Sequence, residues 1–584
     1  AKASASFFEK KEAKKLPLLR AVAGARQRPQ DQKFFASFFQ KRSAFFLSLA
    51  FLLCSAAAQA DQRGNCGTIV LPTGIGVSTG ADMTSLSPLF SDSTYNAEAA
   101  SMLYLDLIWI NRFAKIDWSR SLASAISSPD QGTTYDVTLR PWHWSDGVPV
   151  TAADVAYNFK LIKELGPLYP GYGAGGMPDI IKSLNIISPT QFQVVLKRQV
   201  NPLWFIYNGL AQLQPLPEHS WGKYTTDQLW QAQSTPSFFN VVDGPLRAQR
   251  LDIGRDLVLV PNPAYDGPKM HFDRLIFDFI ETDGATLQAV ESRDVDAADA
   301  PLAVWSAVQH LPGLYVVSLP VQADYDYMAM NFRNPKIAFL RDVRVRQAIA
   351  DAVDQKQIIQ LAYKGFGVEI HGPLPPTPVT FLSPAMRAGH YPVGYDPQKS
   401  IELLKQAGFT PGPDGIMQKN GQKLSFVDMD TVGSASGAQE TLLIQADLRK
   451  VGIQMIAREI EFNQMLALLN SGGAGWDVGI LATGAPFYPS GEAQFETGAY
   501  QNEGGYSDKK MDQLIDASVN QPGLDALFAY EDYNSAQQPV IFLPRDTIPV
   551  LVNDRLHGIY DFVNPAGAYS PEQLWCSVPN GPNA

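Results

Sequence analysis

Tyr135, Val137 and Leu139 alternate with polar neighbours, the period of a half-buried strand. Asp146-Gly147 then predicts a turn, and Pro149 discourages the strand from continuing. Thr151 followed by Asp154 is a capping-box pattern, with the carboxylate also favoured at the positive end of the helix it opens. Further on, Asp342 is placed to cap a helix whose apolar face is Val345, Ile349, Ala352 and Val353. Asp396 caps another, with Pro397 at its first position, Ile401 and Leu404 facing inward, and Gly408 as the stop. Ile444, Leu448 and Val451 continue at helical spacing and end at Gly452. Strand patterns at Ile253 to Val260, Leu275 to Ile280 and Trp476 to Leu481 separate the helices. Interleaved segments of this kind predict an α/β fold, lobes built around central sheets.

The amino-terminal region follows other rules. Lys41 and Arg42 precede an apolar run from Ala44 to Cys54, and Ala58-Gln59-Ala60 follows as a small-x-small site, the order of a secretory signal peptide over 41–60. The run falls short of the roughly 20 residues a membrane-spanning helix needs. Leu53 is bulky where a lipoprotein signal has a small residue before its cysteine, so cleavage after Ala60 is expected. Residues 1–40 form a basic extension that no signal requires, and its Ser-Phe-Phe-Glu-Lys-Lys (6–11) is echoed at 37–42. This extension is left out of the fold reading.

Cleavage changes the charge. The first 60 residues hold 11 Lys and Arg against 3 Asp and Glu, so without them the net charge moves from −11 to −19. A chain this acidic repels nucleic acid and anionic lipid surfaces and suits a soluble monomer. The remaining length exceeds what a single core holds, and aromatics at 11% leave material for a ring-lined cleft.

Signatures of catalysis are weak. Gly171-Tyr-Gly-Ala-Gly-Gly176 has the glycine spacing of a dinucleotide fingerprint but follows no strand, and Pro178 stands where a helix should begin, so a loop is expected. Gly433-Ser-Ala-Ser-Gly437 carries Ala435 where a nucleophilic serine would stand. The seven histidines are scattered without metal-ligand spacing. The expectation is a protein that performs no catalysis and needs no cofactor or metal.

Beyond its pattern, the wording of 139–155 is distinctive. Leu-Arg, then Trp-Ser-Asp-Gly-x-Pro-x-Thr-Ala-x-Asp-Val, resembles the signature of the large extracytoplasmic solute-binding proteins of peptide, nickel and oligosaccharide ABC importers, solute-binding family 5. The resemblance continues in order through Leu122-Ala123, Pro217-Glu218-His219, Gly244-Pro245 and Asn262-Pro-Ala-Tyr265. Asn331-Phe332, Asp342-Val-Arg-Val-Arg-Gln-Ala-Ile349, Tyr395-Asp396-Pro397 and Gly505-Tyr506 extend it. Within these motifs Arg344 and Arg346 read as helix-face ion pairs, and Trp142 and Trp144 as packing residues.

The resemblance implies a two-lobed periplasmic binding protein fold of the large class, with a hinge of two chain crossings. Lobe I would hold 61–320, with an extra subdomain over 112–235, and return for 548–584; lobe II would be 321–547. The crossings fall near Val321–Tyr327 and Asp546–Val550. A solute would lie between the lobes and be delivered to an inner-membrane ABC permease. A signalling receptor and a secreted hydrolase with an unrecognised site stay open as alternatives. Cys66 and Cys576 read either as one disulfide, since both ends of such a chain usually lie in one lobe, or as two buried thiols.

By family position, Tyr95, Asn96, Tyr327, His371 and Thr483 are candidates for the cleft, together with the loop Gly484-Ala485-Pro486-Phe487-Tyr488. Peptide-binding members place an aspartate in that loop against the peptide amino terminus, and Pro486 stands in its place here. An α-ammonium buried there unpaired would cost several kcal/mol. The ligand is therefore expected not to be an ordinary free peptide. Phe487 and Tyr488 offer flat faces to sugar rings, planar groups or apolar side chains, and read equally as core packing.

Overall fold

A computed structural model of the chain describes residues 63–577 apart from 77–80, 92, 321–323, 432–434, 485 and 565–567. The leader, the basic extension, Ala435's burial, Ala485 and the first three residues of the expected crossing at Val321 lie outside the described residues.

One lobe rests on a four-stranded sheet ordered Thr68–Pro72, Arg274–Asp278, Asp256–Pro261, Leu246–Asp252. The first pair is parallel and the others antiparallel. Ile69, Leu71, Leu275 and Phe277 alternate into its core. The strand expected from Ile253 begins instead at Asp256. Residues 252–255 turn, with Arg255 N–H donating to Asp252 O at 2.9 Å and Gly254 at a φ of +83°. The glycine is what breaks an otherwise continuous pattern. The chain's end comes back to this lobe. Pro549–Asn553 runs buried between Ala297–Asp299 and Leu314–Ser318. Trp575–Ser577 pairs with Arg63–Gly64, and at this junction Cys66 and Cys576 form a disulfide with Cα atoms 5.0 Å apart. Arg555 braces the same corner, donating to Asp296 Oδ1 at 2.8 Å and to Cys66 O at 3.0 Å.

The opening motif lies in a separate antiparallel sheet, Ala123–Ser127, Thr134–Leu139, Gln191–Leu196, Ile181–Ser188. Its capping box forms: Asp154 accepts from Thr151 N–H at 2.8 Å and opens the helix Ala152–Leu165. Trp142 and Trp144 are buried, the former donating from Nε1 to Asp243 O at 2.9 Å.

The other lobe is a mixed five-stranded sheet ordered Gln454–Ile460, Ser425–Thr431, Val478–Gly484, Asp324–Met330, Ile541–Leu543. The helices Val343–Ala352, Pro397–Gln406 and Ala435–Lys450 contribute to a common core with it. Asp342 and Asp396 cap the first two, accepting from Arg344 N–H at 3.0 Å and Lys399 N–H at 3.0 Å. Val353 ends the first helix in extended backbone rather than continuing it.

Arg344 pairs with Asp342 as a surface ion pair. Arg346 does not: it is buried, donating to the carbonyls of Leu340, Arg341, Gln537 and Gln538 and lying over the rings of Phe332 and Tyr506. Helical spacing cannot distinguish an exposed guanidinium from one that ties together free carbonyls of neighbouring elements.

Near the expected second crossing, Arg545 gathers three carboxylates, Asp324 at 2.7 Å, Asp326 at 3.3 Å and Asp546 at 3.0 Å. Among the described residues no helix is long and apolar enough to cross a membrane.

Candidate functional site

Val478–Gly484 pairs antiparallel with Asp324–Met330 in full register, which carries the loop after Gly484 out of its own lobe towards the other. Two cavities flank this loop. The larger, about 420 Å³, takes one wall from Gly484, Pro486 and the helix Lys509–Asn520 and the opposite wall from Tyr172, Arg198 and Trp204. The glycine run at 171–176, expected as a loop, forms turns that end in a short 3-10 helix, Ala174–Gly176; it contributes Gly173, Ala174 and Gly176 to that wall. The smaller, about 190 Å³, is formed by Asp106, Trp109, Gln214 and Asn564 of the first lobe and closed by Phe487 of the second.

The lobes touch around these spaces. Asn201 is the main bridge: its backbone N–H donates to Val519 O at 2.8 Å, and its Nδ2 donates to Ser518 O and Gly523 O, each at 3.1 Å. Its Oδ1 meanwhile caps the helix Pro202–Asn208 by accepting from Leu203 N–H. Trp204 Nε1 donates to the Glu492 carboxylate at 3.0 Å, and Arg198 donates to Asn520 Oδ1. A further contact, Thr380 Oγ1 to Phe113 O at 2.7 Å, holds a separate edge.

The larger cavity is acidic, with Arg198 facing Glu492, Glu496 and Asp516. Partial burial of this largely exposed residue, reinforced by Asp512 and Asp516, raises the Glu496 carboxyl above its ordinary range. In the smaller cavity Asp106 is the sole charged residue among those that line it, and burial pushes its carboxyl up to about 7 against the opposing pull of Arg120.

The structure spreads the candidates taken from family position over several environments. Gly484 and Pro486 line the larger cavity and Phe487 the smaller. Tyr488 is fully buried, donating from its hydroxyl to Ser518 O at 2.8 Å, so it packs rather than presenting a face. Thr483 is buried within the strand. Tyr327 is buried in the core, where burial and the Glu503 carboxylate drive its hydroxyl well above the usual range. Asn96 holds its own lobe together, its Oδ1 accepting from Thr84 N–H at 2.8 Å and Ser85 N–H at 3.0 Å. Tyr95 packs half-buried against the first core. His371 lies apart from both cavities, stacked on Tyr391 with centroids 3.9 Å apart; burial pushes its imidazole down to about 4.

Asp106, Gln214, Trp204 and Arg198 were not singled out from sequence. Trp204 alone carried a local signal, a large ring in the first turn of a helix opened by Asn201-Pro202. Among the described residues no group of three or more His, Cys, Asp and Glu could hold a metal ion.

Two lobes enclosing recesses between them define a binding-protein class, in which a small molecule is held at a domain interface. The sequence profile of the bacterial extracellular solute-binding proteins, family 5 Middle, matches residues 118–526, and the chain belongs to this family. It is similar to the oligopeptide-binding protein AppA of Bacillus subtilis, 24% identical over 417 residues, covering 69% of this chain and 71% of that one. It is also similar to the nickel-binding periplasmic protein of Escherichia coli, 27% identical over 376 residues, covering 62% and 67%. Matches to other curated relatives span as little as 58% of their length. Among solved structures, AppA of Bacillus subtilis in complex with a nonapeptide superposes with a TM-score of 0.66 at 20% identity, covering 88% of this chain and all of that one. NikA of Brucella suis in complex with Fe(III)-EDTA gives 0.71 at 19% identity, covering 87% and 99%. The likeness to the solved structures shows a shared fold.

Proposed function

We propose that this protein is the solute-capturing component of an ABC importer. It is exported by cleavage after Ala60, works as a monomer outside the cytoplasm, performs no chemistry, and hands its solute to an inner-membrane permease. Lobe I comprises 61–320 and 548–584, lobe II 321–547, and the solute lies between them. The observation that carries this reading is the pair of recesses walled by both lobes and bordered by the Asn201 bridge. A ligand that touches both walls binds the closed form better than the open one, and only such differential affinity shifts the population to the form a permease can distinguish.

Relatives named for oligopeptides and nickel set the first classes of solute to test. Pro486 on the cavity wall provides neither charge nor N–H, which argues against capture of a free peptide by this loop.

Protein recovered from the periplasm is expected to begin at Asp61 and to carry a small molecule detectable by native mass spectrometry. Adding that molecule back at 100 times its Kd stabilises by about 2.7 kcal/mol. Failure to bind any member of a panel of peptides, oligosaccharides, amines and metal chelates would refute the assignment.

A further inference from the structure

The smaller recess contains a feature that solute capture by shape alone does not explain. Leu105 and Leu107 are buried on either side of Asp106, and the Leu105 N–H is held by Asp243 Oδ1 at 3.0 Å. The backbone of Asp106 is anchored as well, its carbonyl accepting from Leu122 N–H at 3.2 Å. The side chain between these anchors opens on the cavity, and among the described residues no donor hydrogen-bonds to its carboxylate. The cation that acts on it is already engaged: Arg120 pairs with Glu572 and lies 4.3 Å over the Trp109 ring. On the same cavity the Gln214 carboxamide also makes no hydrogen bond to a described residue. The acids of the larger cavity differ. Glu492 accepts from Trp204, Asp516 accepts from Asn520 Nδ2 at 2.8 Å, and Glu496 is exposed.

We propose that Asp106 is the ionic anchor of the binding cleft, and that the solute carries a cationic nitrogen head group, an ammonium or guanidinium, seated against it. The proposal rests on the solute-binding reading above. A half-buried carboxylate without a partner is costly, and a charged donor from the solute removes that cost by forming a charge-assisted hydrogen bond. Gln214 offers a carbonyl to a second N–H of the same head group. Trp109 and Phe487 line the recess from the two lobes and give aromatic surface suited to the apolar stem behind the head group. Because Phe487 comes from the second lobe and Asp106 from the first, a head group seated there touches both. The anchor stands apart from position 486, so a cation needs no charge in that loop.

The test is a calorimetric screen of primary amines, guanidines and short peptides, each beside its N-acylated counterpart, with neutral oligosaccharides alongside. Wild type and Asp106→Asn are compared. A cationic member is expected to bind, and both acylation and Asp106→Asn to weaken it roughly 10- to 100-fold, the range for a hydrogen bond to a charged group. The unliganded variant is expected to melt no lower than wild type, since it loses an unpaired charge. On wild type alone, affinity for an alkylamine that stays protonated throughout should rise from pH 5.5 to 8 as Asp106 ionises, beside the Arg120 guanidinium and the Asp243 carboxyl, which burial drives well above its ordinary range. A neutral solute as the sole binder, a cation bound equally well by the variant, a variant that melts lower, or an affinity flat with pH overturns the proposal and leaves the solute-binding reading standing. No binding by any solute overturns both.

Discussion

Asn201 offers a way to weaken lobe contact without disturbing either lobe. Its side chain serves two masters: Oδ1 caps the helix Pro202–Asn208, and Nδ2 donates across the interface to Ser518 O and Gly523 O at 3.1 Å each. Asn201→Ser keeps an oxygen for the cap, and Ser ranks with Asn at that position, so the folded lobe changes by a few tenths of a kcal/mol at most. The shorter hydroxyl cannot span the interface. Two buried hydrogen bonds at about 0.5–1.5 kcal/mol each are lost from the closed form alone, about 1–3 kcal/mol together, which lowers the closing constant roughly 5- to 150-fold. Where the free protein is mainly open, the whole factor appears as a rise in Kd, read by calorimetry with the co-purifying solute. Where it is mainly closed, small-angle scattering of the free variant shows a larger radius of gyration. An unchanged Kd together with an unchanged radius, in a variant whose melting temperature is also unchanged, would show that the bridge does not govern closure.

Two further outcomes follow from the electrostatics and the covalent frame. Replacing both Cys66 and Cys576 by serine should cost about 2–4 kcal/mol of stability to denaturant, because the bridge ties the two ends of one lobe across a very long loop; equal midpoints for variant and oxidised wild type would refute this. Burial pushes the carboxyls of Glu98, Asp428 and Glu531 each up to about 8, so between their ordinary range and about pH 8 the folded chain binds more protons than the unfolded one and stability falls as pH rises. His371, pushed down to about 4, acts oppositely, losing stability as pH falls from 6.5 towards 4. Three carboxyls outweigh one imidazole, so the melting temperature should be higher at pH 6 than at pH 8.5, by calorimetry in matched ionic strength; a higher value at pH 8.5 would contradict the assignment.

What the sequence determined by itself is what backbone geometry decides within a few residues. The Thr151–Asp154 box, the Asp342 and Asp396 caps and the alternation at Tyr135–Leu139 were all readable, since a cap or a strand period needs only its own turn or neighbours. The ordered motifs from Leu122 to Tyr506 made the family legible for the same reason, each being a short local device. Where local pattern and local break compete, as at Gly254, the turn won and the strand expected from Ile253 starts only at Asp256. The contacts that join the lobes were decided by tertiary structure. Asn201 reads as a helix cap, and only packing brings it to Ser518, 317 residues later. Tyr488 reads equally as a ligand platform or as core packing until its hydroxyl is seen buried against Ser518. Asp106 sits in an apolar stretch where nothing nearby distinguishes a surface carboxylate from one aimed into a recess. Its role depends on Gln214, Asn564 and Phe487 arriving from three distant parts of the chain. Burial and partnership are properties of the assembled lobes, and no window of sequence contains them.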